Sequence, residues 1–306
     1  MLIRSEFDIQ FQLPASTAIL ALMRLHWSLA ATHVQPESIR IEHTSGETKC
    51  ELSPDEYLDG FGNRSFRLRV PAGEVRFSGI SLVRVGDGFD EAGTDAAQHP
   101  IEDLPYDVLP FLLSSRYCEL DRLSQIACDL FSSFPEGWER AVAIRDWVHD
   151  HVQFNYMTAR STKTALDVFT ERVGVCRDFQ HLAITLTRAM NIPARYATGY
   201  LGDIRIPYSG PGDFSAWYEV FLGGRWWTMD ARHNVPRRGR LLMATGRDAT
   251  DVAITTSFGA ANLKHFFVES NEVDEAGNRV SLPVSLTSPA VETTAADMGG
   301  PLSPLL

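Results

Sequence analysis

The chain has 306 residues, 44% hydrophobic, 22% charged and 10% aromatic, a globular composition that excludes a disordered, collagen-like or coiled-coil protein. Asp and Glu total 39 against 28 Lys and Arg, a formal charge of -11, so nucleic-acid binding has no electrostatic support. At roughly 150 residues per domain, the length suits about two domains, each able to bury a core.

The first residues, MLIRSEFDIQFQLP, lack the apolar core and cleavage site of a secretory signal. The most apolar stretch, residues 16–31, is broken by Arg24 and His26 and is too short to span a bilayer. A soluble chain with no membrane partner is therefore expected. Phe7, Ile9 and Phe11 alternate with polar residues, as do Ile39 and Ile41, and then Phe66, Leu68 and Val70 before the Pro71-Ala72-Gly73 turn. This rhythm predicts an N-terminal antiparallel β-sandwich over residues 1–100, including a Gly- and Asp-rich linker at 86–100. Residues 17–31 fit either a helix or a buried strand.

Beyond the linker the apolar period changes from two to about 3.6. Leu120, Leu123, Ile126, Ala127 and Leu130 share one helical stripe, and Ala141, Ile144, Val148 and Val152 share another. A third helix opens close to Cys176, carries Phe179, Leu182, Ala183, Leu186 and Met190 on one face, and ends at Asn191-Ile192-Pro193. Strands follow at 194–201, 214–222 and 225–230, the last two joined by Gly223-Gly224. The fold class is α+β, with the second domain at 101–281 and a flexible Ser/Pro/Thr-rich tail at 282–306.

The cysteines Cys50, Cys118, Cys128 and Cys176 form no CxxC pair, which argues against zinc and disulfides and fits a reducing cytoplasm. There is no GxGxxG, P-loop or HExxH motif, so neither a cofactor nor a metal is expected. Cys176 stands apart because a glycine-containing loop, Val173-Gly174-Val175, delivers it to a helix start. There the macrodipole and free N–H groups favour a thiolate and could hold an oxyanion. Packing as a small buried hydrophobe is the plainer alternative.

With Asp213-Phe214-Ser215-Ala216-Trp217-Tyr218-Glu219-Val220 and Arg225-Trp226-Trp227-Thr228-Met229-Asp230, this cysteine-headed helix resembles the transglutaminase-like superfamily of papain-related thiol enzymes. The resemblance extends through Pro193-Ala194-Arg195-Tyr196-Ala197-Thr198-Gly199-Tyr200 and the N-terminal Tyr57-Leu58-Asp59-Gly60-Phe61-Gly62-Asn63-Arg64 to roughly residues 1–270. It implies a transglutaminase-like core in which Cys176 is the nucleophile and Asp230 the orienting acid. The family's histidine position holds Ser215, which cannot act as a base.

Two other histidines come into question. His181 lies five residues after Cys176, about 140° around the helix, and should face away. His233, three residues beyond Asp230, is the better candidate. Asp178 either stabilises the helix start or orients substrate, and Trp217 either packs in the core or shapes a binding cleft. Alternation sends Trp226 and Trp227 to opposite faces, so at most one belongs to the core. The loop 202–213 is expected to form one rim of the cleft.

Two functions compete. In the first, Cys176 attacks a peptide or protein amide and forms a thioester, resolved by water in a cysteine protease or amidase and by an amine in a transglutaminase. In the second, loss of histidine at Ser215 leaves a catalytically impaired scaffold, a pseudoenzyme that binds peptide or protein. Retention of Cys176 and Asp230 favours the first.

Overall fold

The computed structural model describes residues 1–207 and 212–280. The expected tail at 282–306 and residues 208–211 of the predicted rim loop lie outside the described residues. The chain opens with β1 (Leu2–Leu13), β2 (Thr17–Ala21), β3 (Ser38–Ser45), β4 (Thr48–Glu51), β5 (Asp55–Leu58), β6 (Arg64–Val70) and β7 (Gly73–Arg84). Strand β1 follows the predicted alternation, with Ile3, Phe7, Ile9, Phe11 and Leu13 buried. The ambiguous stretch begins as β2 and then turns into a 3-10 helix at Trp27–Thr32.

Among the described residues, four α-helices and eight strands follow: α1 (Leu120–Phe131), α2 (Trp138–His151), β8 (Gln153–Phe154), α3 (Ala165–Glu171), β9 (Val173–Gly174), α4 (Cys176–Ala189), β10 (Ala194–Tyr200), β11 (Phe214–Leu222), β12 (Arg225–Met229), β13 (Leu241–Gly246), β14 (Thr255–Ser257) and β15 (Asn262–Val273). The result is an α+β chain, as predicted. Among the described residues no helix is long and apolar enough to cross a membrane.

Two antiparallel sheets occupy the N-terminal side, ordered β15-β1-β7-β3-β4 and β14-β2-β6-β5. Their inward faces meet in one apolar cluster that includes Phe7, Ile19, Phe66 and Phe77. Gly79 is required there: opposite Phe7 in the β1/β7 register, a Cβ would lie 2.4 Å from the Phe7 ring. Both sheets are completed from the far end of the sequence, since β14 pairs with β2 and β15 with β1 along nearly its whole length. The predicted boundary at residue 100 thus separates strands that share sheets.

A third antiparallel sheet, β12-β11-β10-β13, carries α4 on one face. Helix α4 is enclosed on all sides, buried from Cys176 through Arg188. Arg188, buried near its end, donates to the carbonyls of Ala194 at 2.9 Å, Leu113 at 2.9 Å and Arg247 at 2.6 Å. The helix stops as its sequence predicts, with Asn191 at φ 60° ahead of Ile192-Pro193.

Candidate active site

The β9 strand and Val175, in extended conformation, bring the chain straight into α4 with Cys176 as its first residue. Asp178 closes this helix start, accepting from the Val175 N–H at 3.0 Å while Arg177 donates to its other oxygen at 3.2 Å. The fit depends on Gly174, where a Cβ would stand 2.6 Å from that of Asp178. Burial raises the Asp178 carboxyl despite the opposing charge of Arg177. With 0% exposure and both oxygens engaged, Asp178 caps the helix and does not contact substrate, in contrast to its expected binding role.

Cys176 is 7% exposed. Burial pushes its thiol up to about 11, and the charge of Asp213 adds to this, while Arg232 and the Arg177 backbone N–H oppose it. Enclosure thus works against the expected thiolate, because desolvation of an anion opposes the field of the helix terminus.

Across from the helix, Asp230 follows β12 and is 5% exposed. Its Oδ2 lies 2.9 Å from Nδ1 of His233 and accepts from Arg240 at 2.9 Å, while its Oδ1 accepts the backbone N–H groups of Arg232 at 3.0 Å and His233 at 3.1 Å. Burial alone would raise this carboxyl, but the His233 hydrogen bond and the Arg240 charge hold it well below the usual carboxylate range. His149 ties down the same turn, its Nδ1 lying 3.2 Å from the carbonyl oxygen of Ala231 and 3.0 Å from that of Arg232.

Gln180 connects the two halves. One turn beyond Cys176 on α4, it donates to Asp230 at 3.2 Å and to the Ala216 carbonyl at 3.3 Å, and accepts from the Ala231 N–H at 3.3 Å. The signal for it was the i, i+4 spacing from Cys176. Sequence reading also passed over Asp213, Arg232 and Tyr156, whose charges act on one another and on Cys176. They come from three separate segments, and no local spacing could have grouped them.

Ser215 is 9% exposed and lies opposite Gly199 in the β10/β11 register. Trp217 is buried at 2% exposure with the Arg240 guanidinium 5.2 Å from its ring, so it packs inside and does not line a cleft as a binding residue would. Trp226 and Trp227 take opposite faces and are both half-buried, one against Phe111 and Phe221, the other against Trp138. His181 is fully buried, stacked on Tyr117 at 4.8 Å, with Nε2 accepting the Ala249 N–H at 3.1 Å, and desolvation pushes it down to about 3. It is a packed, neutral histidine. At the two ends of the expected rim loop, a Cβ on Gly202 would stand 2.0 Å from the Ser270 carbonyl oxygen and one on Gly212 would stand 1.9 Å from that of Val268. The loop ends therefore lie directly against β15.

Residues 127–231 match the profile of the transglutaminase-like superfamily. An uncharacterized protein of Mycobacterium leprae is 34% identical over 122 residues, 39% of this chain and 43% of that protein, so the match spans less than half of its length. The crystal structure of a candidate cysteine protease from Cytophaga hutchinsonii superposes with a TM-score of 0.78 at 31% identity, covering 92% of this chain and 94% of that one. On this near full-length similarity, the chain belongs to the transglutaminase-like family of papain-like proteins.

Proposed function

We propose that the protein is a cysteine protease or amidase whose substrate is a peptide or protein amide. The Cys176 thiol attacks the carbonyl carbon as His233 takes its proton, and Asp230 orients the imidazole and stabilises its charged form. The C–N bond breaks, the amine leaves protonated, and water hydrolyses the thioester to a carboxylic acid and the free thiol. Backbone N–H groups at the start of α4 suit the oxyanion.

The observation that carries this reading is the 2.9 Å contact between His233 Nδ1 and Asp230, on a turn that Gln180 joins to the helix headed by Cys176. It retains an imidazole–carboxylate pair although the family's histidine position holds serine. The Cytophaga hutchinsonii relative supports peptide bonds as the substrate class. Free cysteines at 50, 118, 128 and 176 support the reducing cytoplasm as the place of action.

Hydrolysis of fluorescein-labelled casein by the wild type, Cys176→Ala and His233→Ala tests the reading. Loss of at least a hundredfold in both variants is expected. Full activity in His233→Ala would remove the imidazole from the mechanism, and no cleavage above the Cys176→Ala background would remove the enzyme. The protonated thiol and Ser215 favour a second reading, a peptide-binding scaffold. An inactive wild type that gains Cys176-dependent cleavage through Ser215→His would establish it.

A further inference from the structure

Asp90 belongs to the Gly- and Asp-rich stretch at 86–100, and its contacts lead directly into the site. Its N–H donates to the Arg237 carbonyl at 2.8 Å, and its Oδ2 accepts the Arg237 N–H at 3.0 Å. Both carboxylate oxygens also accept from Nε of Arg240, at 3.1 Å and 3.0 Å. From the same guanidinium, Nη2 donates at 2.9 Å to Oδ2 of Asp230, the oxygen that lies 2.9 Å from His233 Nδ1. A chain of directly bonded groups therefore runs from Asp90 through Arg240 and Asp230 to His233. Its middle is kept from water, since the Arg240 side chain is 7% exposed and that of Asp230 4%. The guanidinium lies 5.2 Å from the Trp217 ring, and its Nη1 is closed off from solvent with no hydrogen-bond partner among the described residues. Little water is left to weaken the Arg240 charge.

A base that takes the thiol proton must later release it to the departing amine, so the carboxylate behind it has to steady the imidazolium without trapping the proton. A buried Asp230 with no cation beside it would hold that proton firmly. Resting on the reading of His233 as the base, we propose that Arg240 is a positioning residue that fixes the Asp230 carboxylate and offsets part of its pull on the imidazole, while Asp90 sets the size of that offset.

The geometry gives each residue a separate part. Arg240 and His233 bond to the same Oδ2, which places their nitrogens within about 6 Å of each other, where like charges count strongly. Asp90 holds the guanidinium at Nε, away from Asp230, and its negative charge counters that of Arg240. The other ionisable groups around the pair are Arg232 on the same turn, His149 of α2 beneath it, Arg237 beside Asp90, Cys176 at the head of α4, and Asp213 and Tyr218 at and within β11. All of them stay unchanged in the variants below.

An NMR titration of the His233 ring signal, identified by its loss in His233→Gln, tests the proposal alongside the pH profile of casein cleavage. Arg240→Gln removes the cation and should move the His233 midpoint and the acidic limb of the activity profile up by about one pH unit. Asp90→Asn, nearly isosteric, leaves the Arg240 charge uncountered and should move both down by about half a unit. Arg240→Lys keeps the charge and should return both to the wild-type position. A merely structural role would lower stability and activity with the midpoints unmoved. Midpoints that stay fixed, or that move the same way in Arg240→Gln and Asp90→Asn, overturn the proposal; should Arg240→Gln fail to fold, the direction of the Asp90→Asn shift decides. The NMR readout needs no turnover. Opposite shifts with casein uncleaved above the Cys176→Ala background would uphold the charge chain and sink the enzyme reading, and cleavage by the wild type with fixed midpoints would do the reverse.

Discussion

Alkylation of Cys176 by iodoacetamide probes the balance between burial and the helix terminus. A thiol titrating near 11 rather than 9.0 is about a hundredfold less ionised at pH 8. Its more basic thiolate is roughly tenfold more nucleophilic for a Brønsted slope of about 0.4–0.5, which leaves alkylation about tenfold slower than for an ordinary thiol. The 7% exposure slows it further. Cys50 and Cys128 are exposed and serve as references within the same molecule, read by peptide mass spectrometry. The Cys176 rate should climb about tenfold per pH unit without levelling below pH 10, and Asp213→Asn should raise it by removing the opposing charge. A Cys176 rate at pH 8 that exceeds both exposed thiols would refute the reasoning, because the helix terminus would then outweigh desolvation.

Asp213 also bears on stability. Its folded-state value near 6 lies above the ordinary 3.8, so the folded protein loses stability as pH rises through that window, by about 3 kcal/mol at most. Asp213→Asn should therefore melt higher than wild type at pH 8 and equally at pH 3.5; a lower melting temperature at pH 8 would contradict the assignment. Gly174→Ala places a methyl 2.6 Å from the Asp178 Cβ and should cost about 1–3 kcal/mol by urea titration, with an unchanged midpoint as the disproof. Gln180→Leu leaves the Ala231 N–H unbonded by its side chain and frees one side of Asp230, a loss of about 1–3 kcal/mol that should accompany a drop in casein cleavage. Wild-type stability and activity in that variant would show that the bridge has no role.

Local pattern carried much of this architecture. The alternation of Phe7, Ile9 and Phe11 predicted β1, and the apolar spacing from Phe179 to Met190 predicted the helix that Cys176 heads. Strand β15 escaped because it lies at a sheet edge, where Lys264, His265 and Phe267 are all exposed and no clean alternation survives. At the site, Cys176, Asp230 and His233 could be read from motif and proximity in sequence. The state of the thiol could not be read, because it depends on enclosure and on Asp213, a neighbour set only by the tertiary fold. For the same reason Trp217 and Asp178 looked like binding residues while their surroundings were unknown, and both prove to be enclosed.

The pairing of Leu2 with Val273 at the head of the β1/β15 ladder has a kinetic consequence. Contacts so distant in sequence bear a large loop-closure entropy and form late. During synthesis the first sheet must wait, one long edge open, until nearly all of the described chain has emerged. Until then the loop ends at Gly202 and Gly212 lack the β15 backbone against which they rest, and Asp213 lies one residue beyond. The helical core could assemble earlier from local contacts, with Cys176 in place and its surroundings incomplete. The enclosure that holds this thiol against ionisation would then be completed at the end of folding, when the last strand docks.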